Sequence, residues 1–434
     1  MTAVSARRRR EVIDALRHGT VPANGLDLLA VGLERFARAL DDELEATATG
    51  SGAFKAVRGE YGSGKTFLTR WLAERALRRG FAAAEVQISE TQTPLHRLET
   101  VYRRIGESLR TAAFSPSAWR PILDAWLYTV ESDAASLSVD VETLLERRLR
   151  DVSAKAPTFA QALRSYRTAM LSGDAPMADG LVAWLAGDPH VSASVKRSAG
   201  IRGNLDHFGA MAFLQGLLLV LRDGGHSGLF VVLDEVETLQ RVRGDVRDKA
   251  LNALRQLVDE IDAGRFPGLY LMITGTPAFF DGPSGIPRLA PLAQRLATDF
   301  TADPRFDNPR AVQLRLPGFD FAALLELGIK VRDLYAEGAD APERIRSRVD
   351  DSYLALLAQA VAGSFGGKVG IAPRVFLKKL VGDVLDRVDQ FEDFDPRVDY
   401  RLTLRADELS DVERNAAALP PRPVADVDDV VLDV

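Results

Sequence analysis

The chain of 434 residues contains no cysteine, which removes disulfides, thiolate metal sites and cysteine nucleophiles together. Histidine is scarce as well, at five residues, and these form no transition-metal constellation. No long hydrophobic run is present: the most apolar segment, Met211 to Leu221, is far too short to cross a bilayer. The start, MTAVSARRRREVIDALRHGT, is basic but has no apolar stretch behind it, so a secretory signal is not expected. A protein of the reducing cytoplasm, with no membrane contact, fits these absences. Internal repeats and a Gly-x-Ser-x-Gly nucleophile elbow are missing too. A large excess of positive charge is also absent. The formal net charge of -6 argues against a surface that is one nucleic-acid footprint, and leaves only a local basic patch such as Arg7 to Arg10. A short charge run of this kind reads first as a solvated or frayed N-terminal helix face.

What is present is the ordinary balance of a globular protein, 46% apolar and 27% charged, which disfavours disorder and fibrous classes. The length suits an enlarged domain with an accessory lobe, or two to three domains.

One stretch carries definite chemistry. GEYGSGKTF, Gly59 to Phe67, meets the pattern G-x-x-x-x-G-K-[ST] through Gly59, Gly64, Lys65 and Thr66, with a further glycine at Gly62 and Ser63 between them. Glycines let such a loop turn back so that backbone N–H groups point at phosphates; the lysine reaches the terminal phosphates and the threonine hydroxyl ligates magnesium. The context agrees. AFKAVR, residues 53–58, suits a strand, and TFLTRWLAERALRR, residues 66–79, has helical spacing through Leu68, Trp71, Leu72 and Ala76. The helix N-terminus adds its dipole at the phosphates. A nucleotide such as ATP, with Mg2+, is the expected ligand.

A second acidic element is needed to hold the metal and prepare water. GLFVVLDE, Gly228 to Glu235, is a continuous apolar run of the sort found in a doubly buried parallel strand, and it ends in two carboxylates. Asp234 is expected to hold the metal and Glu235 to polarise the attacking water. A third strand, Leu269 to Ile273, ends at Thr274 and Thr276. Thr274 reads either as a sensor between the terminal phosphate and Glu235 or as a residue that satisfies a turn.

The order of these motifs, followed by an arginine-bearing helix, a short strand at 312–316 and a helical lobe, resembles an AAA+ ATPase of the initiator and helicase-loader kind. That resemblance implies an α/β P-loop NTPase fold: a parallel-sheet core, a helical insertion and a C-terminal helical lid. It implies that Arg374, in GIAPR just inside a helix that Pro373 opens, reaches back to the nucleotide phosphates. It further implies that Arg295, or else Arg288, in PRLAPLAQRLATDF completes a neighbour's site as an arginine finger, making hydrolysis depend on self-association or hetero-assembly. Each arginine also reads as a plain surface charge.

Longer phrases narrow the resemblance. RGEYGSGKTF, AAAEVQISETQTPLHRLETVYRRI, GLFVVLDEVETL, NALRQLVDEIDAGRFPGLYLMITGTPAFF and GIAPRVFLKKLVGDVLD are similar to the ATP-binding proteins of BREX-type bacteriophage-exclusion systems, of the BrxD kind, from about residue 9 to about 409. The family implies ATP hydrolysis in an antiviral complex, with ATP and ADP, a helicase or other defence proteins, and DNA as partners. A nucleotide-dependent scaffold or switch with slow hydrolysis is the alternative.

The remaining organisation follows from spacing. Residues 1–48 read as an N-terminal helical segment, 49–111 as the phosphate-loop half of the core, 112–205 as a helical insertion, 206–318 as the acidic half, 319–400 as the lid and 401–434 as a proline-punctuated acidic tail, disordered or docked on a partner. At the end of the strand after Phe81, Ser89 or Glu90 reads either as a restraint on Glu235 or as a helix cap.

Overall fold

The computed structural model describes residues 4–301, 303–364, 373–403 and 409. Residues 404–408 and 410–434 of the acidic tail, and Gly370–Ala372 of GIAPR, lie outside these residues. Two compact units divide the chain. Described residues within Met1–Glu34, Gly59–Trp71 and Leu316–Val434 form the first, and those within Arg35–Arg58 and Leu72–Arg315 the second.

The second unit holds a five-stranded sheet: β1 (Ala53–Arg58), β2 (Ala82–Gln87), β3 (Leu229–Asp234), β4 (Leu269–Gly275) and β5 (Gln313–Arg315). Every pairing is parallel, in the order β2-β3-β4-β1-β5. Such a sheet is covered by helices on both faces, so its central strands must be apolar throughout. LFVVLD in β3 and LYLMITG in β4 are buried at every position. The register sets Arg58 level with Gly275, and Leu233 level with Ile273, so Arg58, Asp234 and Thr274 all come to the carboxyl edge of the sheet.

A lysine enters this core. Lys55 in β1 is 2% exposed, and its ammonium is held by the Ala311 carbonyl at 2.7 Å and by Glu43 at 2.5 Å. The Tyr270 hydroxyl donates to the same carboxylate at 2.5 Å. Burial and the Glu43 charge together push the Tyr270 hydroxyl well above its ordinary pKa. A buried charge is tolerated only when paired and hydrogen-bonded in this way.

The segment expected as a helical insertion is helical: Trp119–Leu137, Val141–Lys155, Pro157–Ser172, Ala175–Leu185 and Ala193–Ser198. Trp119, Leu123, Trp126, Leu127 and Val130 are buried as one stripe, and Leu144, Leu145, Leu149 and Val152 as another. These helices share a continuous hydrophobic core with the sheet. The joint is aromatic: Phe213, on the helix His207–Asp223, meets Tyr102 at 5.7 Å, Phe159 at 5.1 Å and Trp184 at 5.0 Å between ring centroids, all edge to face. All four tryptophans are buried, so they serve packing.

The first unit is helical apart from the phosphate loop and its connections. Ala6–Arg17, Phe321–Ala336, Pro342–Arg348, Asp351–Ser364 and the run that starts at Pro373 surround a core that includes Val12, Leu324, Val331, Leu354, Phe376 and Leu380. Phe67, just past the phosphate loop, packs against this core. The basic run is largely neutralised where it stands: Arg7 pairs with Glu11 at 2.9 Å, Arg8 with Asp27, and Arg9 with Glu337 at 3.5 Å.

Phe213 touches both the insertion, at Phe159 and Trp184, and the helix Leu98–Ser108, at Tyr102, through aromatic contacts. Phe213→Ala is expected to cost roughly 3–5 kcal/mol, the usual range for emptying a buried aromatic site. Urea unfolding followed by tryptophan fluorescence measures it; a midpoint equal to wild type would mean that the joint is not where the insertion is held.

Candidate nucleotide site

The phosphate loop follows β1 without a break. Gly62 and Gly64 have φ of +80° and +89°, conformations in which a side chain is strained, so the glycines are dictated by the backbone path. Gly59 is required for another reason: a Cβ there would run into the Ser63 side chain and lie 3.3 Å from the Leu316 carbonyl. Ser63 is 3% exposed and its hydroxyl has no hydrogen-bond partner among the described residues. Its N–H donates to the Glu60 carbonyl at 3.2 Å, which closes the turn. The helix Lys65–Arg78 then starts, with the Leu68 N–H bonded to the Gly64 carbonyl at 2.9 Å.

Lys65 lies back over its own loop. Its ammonium donates to the carbonyls of Gly59 at 2.8 Å and Glu60 at 3.1 Å, and stands 5.3 Å above the Tyr61 ring. Thr66 occupies the first turn of the helix and is half-buried. A helix N-terminus with a glycine-rich lead-in and a lysine is a ready anion receptor, because the N–H groups and the dipole favour negative charge.

The acids sit at the end of β3 in the second unit. Asp234 is 7% exposed and accepts the Thr274 hydroxyl proton. The Glu235 N–H donates both to Asp234 Oδ1 at 3.1 Å and to Thr274 Oγ1 at 3.2 Å. Those bonds hold Glu235 at φ 60°, ψ 42°, a left-handed conformation that costs a non-glycine residue roughly 1–2 kcal/mol. The outcome is a sharp turn that separates the two carboxylates in direction. Gln87, the last residue of β2, donates its side-chain amide to Glu235 Oε2 at 2.9 Å. Strained backbone of this kind clusters where function over-determines the structure.

Thr274 is fully buried, and its hydroxyl joins Asp234 to the Glu235 backbone. It therefore organises the acidic turn. Thr276 accepts from the Phe279 N–H through its backbone carbonyl at 2.9 Å, just ahead of the short helix Pro277–Asp281. Gln87 lies just before Ser89 and Glu90, the residues expected to restrain Glu235, and it is Gln87 that bonds to it. Ser89 instead accepts the N–H groups of Gln92 at 3.1 Å and Thr93 at 2.9 Å and so closes a local turn. The signal that could have found Gln87 is the parallel register, which sets it level with Asp234.

The three arginines are placed individually. Arg288 pairs with Asp248, and Arg295 with Asp259 while also donating to the Pro291 carbonyl at 2.9 Å. Arg374 is half-buried in the first turn of Pro373–Lys378, beside Gly19. Among the described residues no group of three or more histidine or carboxylate side chains could hold a metal ion.

Thr274→Val keeps the shape and removes the hydroxyl, leaving a buried carboxylate and the Glu235 N–H each short of one bond. A loss of roughly 1–3 kcal/mol in stability is expected from the unsatisfied groups. The same variant should lower any ATP turnover, measured as released phosphate; unchanged stability and turnover together would remove Thr274 from the site.

A protein-family model described as "BREX system ATP-binding protein BrxC/D" matches residues 4–404. No curated protein and no solved structure matches the chain. The family model does not separate the BrxC from the BrxD kind. Spanning nearly the whole sequence and both units, the match establishes that the chain belongs to the BREX system ATP-binding protein BrxC/D family.

Proposed function

We propose that the protein binds ATP with Mg2+ and hydrolyses it within a BREX anti-phage system, as the BrxD kind of this family and as an AAA+ type P-loop ATPase. The observation that carries hydrolysis, beyond binding, is Glu235: an acid held by a strained backbone at the carboxyl edge of the sheet and aimed by Gln87. A protein that only binds nucleotide has no use for such a group. The strand order, with β4 between the phosphate-loop strand and the acidic strand, supports the AAA+ reading.

In this reading Gly59, Gly62, Ser63 and Gly64 wrap the phosphates, Lys65 exchanges its loop carbonyls for phosphate oxygens, and Arg374 meets the phosphates from the lid. Thr66 through its hydroxyl and Asp234 through its carboxylate would each supply an oxygen to magnesium. The donors are hard oxygens from a hydroxyl and a carboxylate, which suits a cation that keeps waters and phosphate oxygens as its other ligands. Mg2+ neutralises phosphate charge when bound. Glu235 takes the proton of the attacking water, and Thr274 keeps Asp234 and Glu235 in their separate directions.

Two features favour low turnover until a partner engages. Gln87 occupies one oxygen of Glu235, and Lys65 is parked on the loop. The cation that completes the site would come from a neighbouring copy or another BREX protein, through Arg295 or Arg288. Their present ion pairs are partly exposed and cost little to exchange for a phosphate. A helicase or DNA remains the proposed object of the cycle.

Hydrolysis by wild type and Glu235→Gln, measured against protein concentration with and without duplex DNA, tests this directly. The variant should bind ATP normally and lose turnover by about 10²-fold or more, the usual worth of a general base. Lys65→Ala should lose binding as well. Intact turnover in Glu235→Gln would end the hydrolytic assignment.

The trans cation has its own test. Mixing Glu235→Gln, which keeps its arginines, with Arg295→Ala, which keeps its base, should restore turnover that neither shows alone. Absence of rescue, with Arg288→Ala behaving the same way, would mean that neither arginine acts across an interface.

A further inference from the structure

Arg58 is the last residue of β1, and Gly59 of the phosphate loop is bonded directly to it. Its guanidinium is largely enclosed and meets the chain again at two places. At the first, Nη1 donates to Asp281 Oδ1 at 3.1 Å, Nη2 pairs with the other oxygen of the same carboxylate, and the Phe280 ring centroid is 5.7 Å away. At the second, the Phe300 ring centroid is 4.9 Å away. Between these places runs the segment 281–300, which contains both Arg288 and Arg295. One side chain thus holds both ends of the stretch that bears the candidate trans cations, and it does so next to the phosphate loop of its own chain.

The stretch is packed rather than loose. Ile286, Leu292 and Leu296 are buried. The N–H groups of Gly282 and Gly285 donate to the carbonyls of Ala278 and Gly282, each at 2.9 Å, and a Cβ at Gly285 would run into the Phe279 carbonyl. Close packing of this kind transmits a displacement instead of absorbing it. Arg288 and Arg295 themselves are tied to Asp248 and Asp259, on the helix Gly244–Asp262, by pairs that water reaches. Exchange of either pair for a neighbour's phosphate alters what holds the middle of the segment, and the packed stretch carries the change to its ends.

The far end is not fully satisfied. Thr298 Oγ1, and Gln313 Oε1 on β5, are buried with no hydrogen-bond partner among the described residues. Buried groups without a bond cost stability, so a second seating of this end that pairs them competes with the present one. The residue type at position 58 suits the double grip. A planar guanidinium can fork to a carboxylate and lie against rings at once, whereas an ammonium offers a single point of charge.

We propose that Arg58 is a positioning residue that couples the segment 281–300 to the phosphate loop, so that nucleotide in a chain's own site alters the segment through which that chain engages its neighbour. The proposal rests on the reading of the phosphate loop as an ATP site and of Arg288 or Arg295 as the trans cation. It deepens that reading by naming the route between the two. Coupling of this kind is reciprocal: what nucleotide does to the segment, engagement of the segment does to nucleotide.

Amide hydrogen exchange of the full-length protein, followed in peptides from 281–300, tests the route, and calorimetry with the non-hydrolysable analogue adenylyl-imidodiphosphate reports whether nucleotide is bound. In wild type the bound analogue should slow exchange in these peptides by about fivefold or more, the low end of the usual coupling between sites. Arg58→Lys keeps the charge and removes the fork; it should bind the analogue with similar affinity, and the analogue should no longer change exchange in 281–300. If Arg58 serves stability alone, the variant will exchange faster in both states and keep the wild-type ratio between them, which overturns the coupling. If the analogue binds wild type and the segment does not respond, the coupling is overturned while the nucleotide reading stands. If the analogue does not bind wild type, the nucleotide reading falls and the coupling with it. Should Arg58→Lys fail to fold, Asp281→Asn changes an exposed carboxylate and is expected to show the same loss of response.

Discussion

Five strands that run the same way bring all their carboxyl ends to one edge, and the acidic turn at that edge is what the rest of the second unit serves. The Thr274 hydroxyl bonded to Asp234 is its central contact, since it fixes a buried carboxylate and a strained backbone at once. Without both full burial of β3 and β4 and the parallel register, Thr274 and Asp234 would not meet. A parallel sheet needs helices on both faces, which is why so much of the chain is helical packing around a small chemical centre.

Charge is admitted to that interior only with a partner. Lys55, Glu43 and Tyr270 form one closed set, and Arg58 pairs with Asp281 while its guanidinium lies 4.9 Å from the Phe300 ring centroid. Arg315, level with Arg58 on the neighbouring strand, stands 5.0 Å from the same ring. Both arginines therefore brace the segment that precedes β5, and Arg58 does so at the residue that leads into the phosphate loop. Such contacts gain from a desolvated setting.

The same rule separates the candidate arginines. Arg58 is largely enclosed, whereas Arg288 and Arg295 sit in pairs that water reaches. An enclosed guanidinium is costly to leave unpaired, although Asp281 itself is exposed. A wet pair is available for exchange. The insertion follows a related logic at larger scale: its two buried stripes belong to the sheet's own core, to which Phe213 also joins Phe159 and Trp184.

By itself the sequence determined the local elements and the phosphate loop, because glycine at positive φ, a lysine–threonine pair and a doubly buried apolar strand are each fixed by neighbours along the chain. The acids at the end of β3 were legible for that reason, and so was the helix that Pro373 opens. What only the tertiary structure decided involves residues far apart in sequence. Gln87 reaches Glu235 across 148 positions, Asp234 takes its bond from β4, and Asp386 takes Arg17 across 369. Periodicity encodes which face of an element is buried; it carries no record of which element comes to lie beside it, and hydrogen bonds between strand ends depend on that neighbour alone.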